Sequence, residues 1–446
     1  MQEMDLLFLA NRAKEIFTLY FRRFLVFFSN KVVPLALSDA LARLVGFLVL
    51  ALIARRFGTE EIGLYNLGIV IAAYAISFSD LGTRQIGVRL VAGGHADSEV
   101  VYILSCRRLV LLFFALLFTV AYAFIQGSIG RVGLLFLAFP LSAIFVAFSH
   151  DWLFWGWEQY WEMTFFGGIR ALTFLIGALL AFLLQGGIGA FALAYIISYG
   201  TSMFWSWRRS RIPPFGISTT KVSAIKEFAW FNMLPLSLAV IVNQLFQTGD
   251  ILLLGVLSNE RQLGIYSMAS RFLFFLFSIY YIVTNSIYTW LSRKSREGGL
   301  DTKELFVLIG GSGLLGLMVS ILLYPASDLL LMTMFGMSNA LPDVIKVFHI
   351  LLLVLPLEFM MATFGTLFVG MGRNVDVLIC IAIGTFINLA GNVYIIPSYG
   401  AKGAAIISII SYLASIIAFF VIIKYKSKGL LLRTEQKDED TKTIGM

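Results

Sequence analysis

Apolar stretches of about seventeen residues or more, each long enough to cross a hydrocarbon core of about 30 Å, follow one another along this chain with short polar breaks between them. They predict twelve membrane spans, at 32–53, 63–81, 109–125, 132–148, 165–184, 188–205, 228–256, 263–290, 305–323, 344–370, 375–396 and 401–423. Runs such as "LVLLFFALLFTVAYAF" do not alternate between apolar and polar residues, as the strands of a membrane barrel must, so the spans are expected to be helices. Ahead of the first span, Leu9, Ala13, Ile16, Phe17, Tyr20, Phe24 and Phe27 fall near one helical face. They predict either a helix lying along the membrane surface or an extension of the first span. No short apolar run there ends in a small-residue cleavage site, and no cleavage is expected.

Composition agrees with the pattern: 59% of residues are hydrophobic, 13% are charged, and the formal net charge is +8. The charge is distributed by side. With the N-terminus placed in the cytoplasm, twenty-five of the 34 Lys and Arg lie in the inner segments, six lie in the outer ones, and three lie within spans. That asymmetry predicts two cytoplasmic termini and an even number of spans, and it explains the basic balance without nucleic acid. The inner loop "HDWLFWGWEQYWE" has no Lys or Arg; its tryptophans form either an interfacial aromatic belt or a surface for stacking sugars. Cys106 and Cys380 are far apart and suggest no disulfide framework.

A phrase is written twice. "FGTEEIGLYNLG" at 57–68 aligns with "SNERQLGIYSMA" at 258–269, pairing Gly63 and Tyr65 with Gly264 and Tyr266 at an offset of 201. At the same offset "PLAL" at 34–37 falls on "PLSL" at 235–238, and "GGIGA" at 186–190 echoes "GAKGA" at 400–404. The later echo has a larger offset, which fits a longer connection after the ninth span. The chain is therefore expected to comprise a cytoplasmic or interfacial segment at 1–31, a six-span lobe at 32–206, a cytoplasmic linker at 207–227, a second six-span lobe at 228–423 and a charged tail at 424–446. Parallel repeats of this kind are an architecture of alternating-access transporters, with the site between the halves.

The repeat is also an internal control. Six ionisable residues lie within spans, where each costs about 2.5–3.5 kcal/mol at the centre: Asp39, Arg43, Arg170, Asp250, Arg271 and Glu358. Their counterparts in the other half, Val240, Gln244, Gly384, Val49, Val70 and Ile144, carry no charge. The scaffold does not need these charges, which points to function. Asp39 and Arg43 share a helix face and could satisfy each other, Asp250 and Arg271 could pair across two spans, and Arg170 could snorkel. Glu358 has no basic neighbour in sequence and is a natural carrier of a proton or sodium ion.

The segments "RRFGTEEIGLYNLGIVIA", "FSDLGTRQIGVR" and "GDILLLGVLSNERQLGIYSMASR" resemble the polysaccharide flippases of the multidrug/oligosaccharidyl-lipid/polysaccharide exporter superfamily, over nearly the whole chain. The resemblance implies an all-helical protein of two lobes around a central cavity. It also implies movement of a polyprenyl-diphosphate-linked oligosaccharide, such as an O-antigen, capsule or exopolysaccharide unit, across the bacterial cytoplasmic membrane, with a polysaccharide polymerase and glycosyltransferases as partners besides the membrane lipids.

Arginine suits such a cargo, since it is always charged and its donor fork grips phosphate oxygens. Arg43 is the first candidate for that contact, with Arg271 and Arg170 above and below it. Asp39 and Glu358 are candidates for coupling to H+ or Na+. Gln244, Asp250, Asn388 and Asn392 either line a polar cavity for sugars or join helices. A small-molecule exporter of the same superfamily is the alternative reading, and a membrane glycosyltransferase or polymerase a more distant one. The sequence has no P-loop, HExxH or GxSxG motif, and His95, His150 and His349 are scattered, so no cofactor or metal is expected.

Overall fold

The computed structural model describes residues 33–125, 138–215, 230–297, 302–336 and 340–443. The amphipathic segment before residue 33 and the basic residues Lys221 and Lys226 lie outside them. Among the described residues every regular element is a helix, and ten helices are long and apolar enough to cross a membrane. This is a multi-pass membrane protein.

The first set of helices is α1 (Val33–Arg56), α2 (Thr59–Asp80), α3 (Thr83–Ala92), α4 (Asp97–Ile125), α5 (Ser142–Ala147), α6 (Asp151–Gly156), α7 (Tyr160–Leu183) and α8 (Ile188–Ser210). The second is α9 (Trp230–Leu257), α10 (Glu260–Glu297), α11 (Thr302–Phe335), α12 (Leu341–Leu352), α13 (Val354–Gly370) and α14 (Asn374–Thr443). Within the sets, α1 packs on α7, α7 on α8, α9 on α14 and α11 on α13. Between them the most extensive pairing is α2 with α10, supported by α2 on α9 and α1 on α10.

The repeated phrase forms that pairing. Gly63 of α2 faces Gly264 of α10 so closely that a Cβ on Gly63 would stand 2.7 Å from the Gly264 nitrogen. A methyl group at either site would push the backbones apart, which is why both copies carry glycine here. One turn on, the Asn66 carboxamide donates to the Ser267 hydroxyl at 3.0 Å, and these two residues are also equivalent at the offset of 201. The two helices are thus joined near their N-terminal ends, at the end of the bundle away from most of the described basic residues.

Several boundaries differ from the expectations, each for a local reason. The fourth span was expected at 132–148; its described part, from residue 138, is a turn of 3-10 helix at Phe139–Leu141 containing Pro140, followed by α5. The ninth was expected to end at 323, but α11 continues through Pro325 to Phe335 because the apolar run resumes in "DLLLMTMF". The tenth is interrupted at Leu353, between α12 and α13. Pro356 cannot donate to the Leu352 carbonyl, and the Ser320 hydroxyl takes that carbonyl at 2.8 Å instead. Residues 374–425 read as one apolar helix of 52 residues, nearly 80 Å at about 1.5 Å per residue and therefore two crossings. The break is Gly400, at φ 53° and ψ −133°, and the next nitrogen, of Ala401, donates to the Gln262 side chain at 3.0 Å. The helical path then runs on through the charged tail to Thr443.

The basic end carries a half-buried ionic knot. Arg108 binds Asp80 at 2.8 Å and Thr83 at 2.8 Å, while Arg84 binds Asp151 at 2.5 Å. These contacts turn the chain after α2 through left-handed Leu81 and Gly82 and hold α3 against α6. The tryptophan-rich loop is therefore largely helix and partly core. Trp152 is buried among Leu90, Val101 and Phe166, the Trp157 indole donates to Asp97, and Trp155 and Trp161 are the exposed members of the segment.

Candidate functional site

Four of the six charged intramembrane residues, from three different helices, line one cavity of about 250 Å³. Helix α1 supplies Asp39, Arg43, Gly46 and Phe47; α7 supplies Arg170 and Phe174; α8 supplies Tyr195, Ser198 and Tyr199; α10 supplies Arg271, Phe274 and Phe275. The helix period explains each contribution. Asp39, Arg43 and Phe47 are four apart on one face of α1, and Arg271, Phe274 and Phe275 share a face of α10.

The arginines are held differently. Arg43 donates its Nε to Asp39 at 2.9 Å, and both side chains remain accessible, at 41% and 53%. The Arg170 guanidinium lies 4.9 Å from the centre of the Tyr199 ring, whose hydroxyl is 3.2 Å from that of Tyr195. Arg271 lies against Gly46, where a Cβ would be 3.5 Å from one of its nitrogens, and donates to the Asn66 side-chain oxygen Oδ1 at 3.3 Å. Among the described residues neither Arg170 nor Arg271 has a carboxylate partner. The lining thus sets three guanidinium groups against one carboxylate, with aromatic rings around them.

The carboxylates of the second helix set lie elsewhere. Glu358 of α13 lines a separate cavity of about 370 Å³ with Asn243, Gln247, Tyr281, Thr284 and Thr366. It accepts a hydrogen bond from the Tyr281 hydroxyl at 3.0 Å and another from Tyr412. Asp250 does not pair with Arg271. It accepts from the Tyr266 and Ser408 hydroxyls and from the Ile251 nitrogen, and shares a small cavity of about 30 Å³ with Asn388 and Tyr412.

A family profile described as polysaccharide biosynthesis protein matches residues 28–295, more than half of the chain. The chain belongs to that family. A comparison with curated proteins returned no match. Among solved structures, this polysaccharide biosynthesis protein resembles the lipid II flippase MurJ in an inward closed conformation, at a TM-score of 0.71 and 14% identity, covering 87% of this chain and 86% of that one. It also resembles an inward-facing multidrug resistance MATE transporter of the MOP superfamily, at 0.63 and 15% identity, covering 87% and 95%. A third likeness is to a MOP superfamily transporter from Pyrococcus furiosus, at 0.59 and 14% identity, covering 90% and 95%. The shared fold is that of the MOP transporters.

In this family member the polar stretch "NQLFQTGD" of α9 divides by face. Gln244 lines neither large cavity: its amide donates to Thr248 at 3.1 Å, and its backbone carbonyl accepts from Tyr74 at 3.1 Å. Asn388 and Asn392 hydrogen-bond each other at 3.1 Å on α14. Asn243 and Gln247, by contrast, open into the Glu358 cavity. Their spacing of four was the available signal, but the sequence alone does not say which face of α9 meets a cavity. Tyr195, Ser198 and Tyr199 were missed for the same reason, being polar residues of an otherwise ordinary span.

Proposed function

We propose that this chain is an alternating-access flippase that moves a polyprenyl-diphosphate-linked oligosaccharide from the inner to the outer leaflet of the bacterial cytoplasmic membrane. The carrying observation is the convergence of Arg43, Arg170 and Arg271 on one cavity whose described lining holds a single carboxylate, Asp39. Guanidinium groups without a carboxylate partner, as Arg170 and Arg271 are among the described residues, are costly within a bilayer and become favourable when a multiply charged anion fills the space beside them. A diphosphate on a lipid carrier is such an anion. The basic end faces the cytoplasm on this reading, and the Gly63–Gly264 contact closes the periplasmic side. Transport then requires α2 and α10 to part.

Coupling is assigned to Glu358, which is buried, hydrogen-bonded by two phenols and set in its own cavity, with Asp39 as a second site that exchanges with Arg43. The coupling ion is H+ or Na+. Polymerase and glycosyltransferases of polysaccharide assembly are the expected partners. Reconstitution tests the reading: purified protein in liposomes should move the lipid-linked oligosaccharide between leaflets when an ion gradient is imposed, and should fail without the arginines.

A second reading, export of a small organic molecule by cation exchange, is favoured by Glu358 lining a cavity apart from the arginines. Transport of an organic cation that survives Arg43→Gln would select it.

A further inference from the structure

We infer that the Glu358 cavity is a subsite for the uncharged sugars of the cargo, separate from the arginine cavity that takes the diphosphate. This rests on the flippase reading and deepens it. Within the span α9, the Asn243 and Gln247 carboxamides are exposed to this cavity, and among the described residues neither makes a hydrogen bond. One position along the same helix, Gln244 and Thr248 satisfy each other. Polar groups that join helices find partners inside the protein, as Gln244 and Thr248 of α9 do with the Tyr74 hydroxyl of α2; two carboxamides left open at the same depth need a polar occupant. The Thr366 hydroxyl, which also makes no hydrogen bond among the described residues, lines the same space.

The chemistry of the lining selects the occupant. Carboxamides and hydroxyls offer donors and acceptors together, which matches sugar hydroxyl and acetamido groups, and the rest of the wall is apolar, from Phe246, Met361 and Val369. Among the described residues no basic side chain lines the cavity, so this lining does not favour phosphate, and the carboxylate of Glu358 would repel a uronic or other acidic sugar. The volume of about 370 Å³ falls within the usual range of small-molecule sites.

Helix α10 relates the two cavities. Arg271 lines the first and Tyr281 the second, and these residues are about 15 Å apart along the axis at about 1.5 Å per residue. A diphosphate seated at Arg271 therefore directs an attached glycan along the wall that carries Tyr281. Cargo with a neutral or N-acetylated segment two or three sugars from the phosphate fits this spacing.

The test compares two lipids on the full-length protein in detergent: undecaprenyl diphosphate, and the lipid-linked glycan that accumulates in the native host when this chain is depleted. Wild type should bind the glycan-bearing lipid about tenfold or more tightly than the bare one, as expected for two lost hydrogen bonds to neutral groups. Asn243→Leu with Gln247→Leu should bind both lipids equally, with affinity for undecaprenyl diphosphate unchanged. Asn243→Gln should keep most of the preference. A double variant that retains the full preference, or a wild type that shows none, overturns the subsite while leaving diphosphate recognition intact. So does a double variant that loses only its ion dependence. If no such lipid accumulates, or wild type binds neither lipid, the flippase reading itself falls, and the subsite with it.

Discussion

Asn66 and Ser267 hold hands across the molecule at 3.0 Å, and they occupy the same position in the two copies of one sequence phrase, 201 residues apart. Beside them Gly63 and Gly264 bring two helix backbones into contact. The phrase is repeated because each copy forms half of this junction. If the junction is the closed gate of a transport cycle, locking it should stop the cycle. Asn66→Cys with Ser267→Cys, joined by a short bifunctional thiol reagent, should abolish transport, and a cleavable linker should restore it after reduction. Transport that persists with the link intact would remove the gate from the mechanism.

Gly264→Ala tests the same junction by packing. An added methyl group would collide with the Thr59 carbonyl, and overpacking of this kind costs about 1–3 kcal/mol. The closed arrangement should lose population, so a thiol reagent should label Asn66→Cys severalfold faster in the Gly264→Ala background. Unchanged labelling would show that the contact is not tight enough to matter.

How much of this was legible beforehand depends on what kind of signal each residue gives. The spans and the three arginines were readable, because a charge in an apolar run is visible against its neighbours. That Arg43, Arg170 and Arg271 would meet was not, since it depends on how α1, α7 and α10 turn about their axes. Asn243 and Gln244 are adjacent in sequence, yet one opens into a cavity and the other is satisfied by Thr248. The short helices α3 and α6 were missed because ten and six residues carry too little periodicity, and what holds them is the Asp80–Arg108 and Arg84–Asp151 pairs, which are contacts between distant segments.

Glu358 should matter for coupling rather than for folding. Its two phenol partners can hydrogen-bond a carboxamide as well as a carboxyl, so Glu358→Gln should be inserted and fold normally. Gradient-driven transport should fall to the background rate at every pH, while binding of undecaprenyl diphosphate in the arginine cavity is retained. A Glu358→Gln protein that keeps the wild-type pH profile of transport would take this residue out of the coupling scheme.

At the basic end, His150 is a built-in pH sensitivity. Burial pushes its imidazole down to about 4, with Arg108 adding to the effect against the Pro214 carbonyl, which favours the proton. The ring is neutral in the fold, where it lies 2.9 Å from the Ser210 hydroxyl, and it takes up a proton near pH 6.5 once unfolded. Its contribution is therefore complete above about pH 6.5, declines as pH falls and is lost through about pH 4, amounting to about 3 kcal/mol. Thermal unfolding in detergent should show a drop in Tm across that window, and His150→Gln should flatten it. A window of the same depth in the variant would assign the sensitivity to other groups.

The central claim is that the arginine cavity handles the anionic head of a lipid carrier. It is tested most directly by leaflet-sided assay of the lipid-linked glycan in proteoliposomes containing wild type, Arg43→Gln, Arg43→Lys, or Asp39→Asn with Arg43→Gln. Loss of one charge-assisted contact, worth about 1.5–3 kcal/mol, should slow transport about tenfold to a hundredfold in Arg43→Gln, with the lysine variant between. The double variant removes the ion pair with both its charges and should remain well folded yet equally defective. Recovery of wild-type transport in the double variant would mean that Asp39 and Arg43 serve only each other, and would contradict the account.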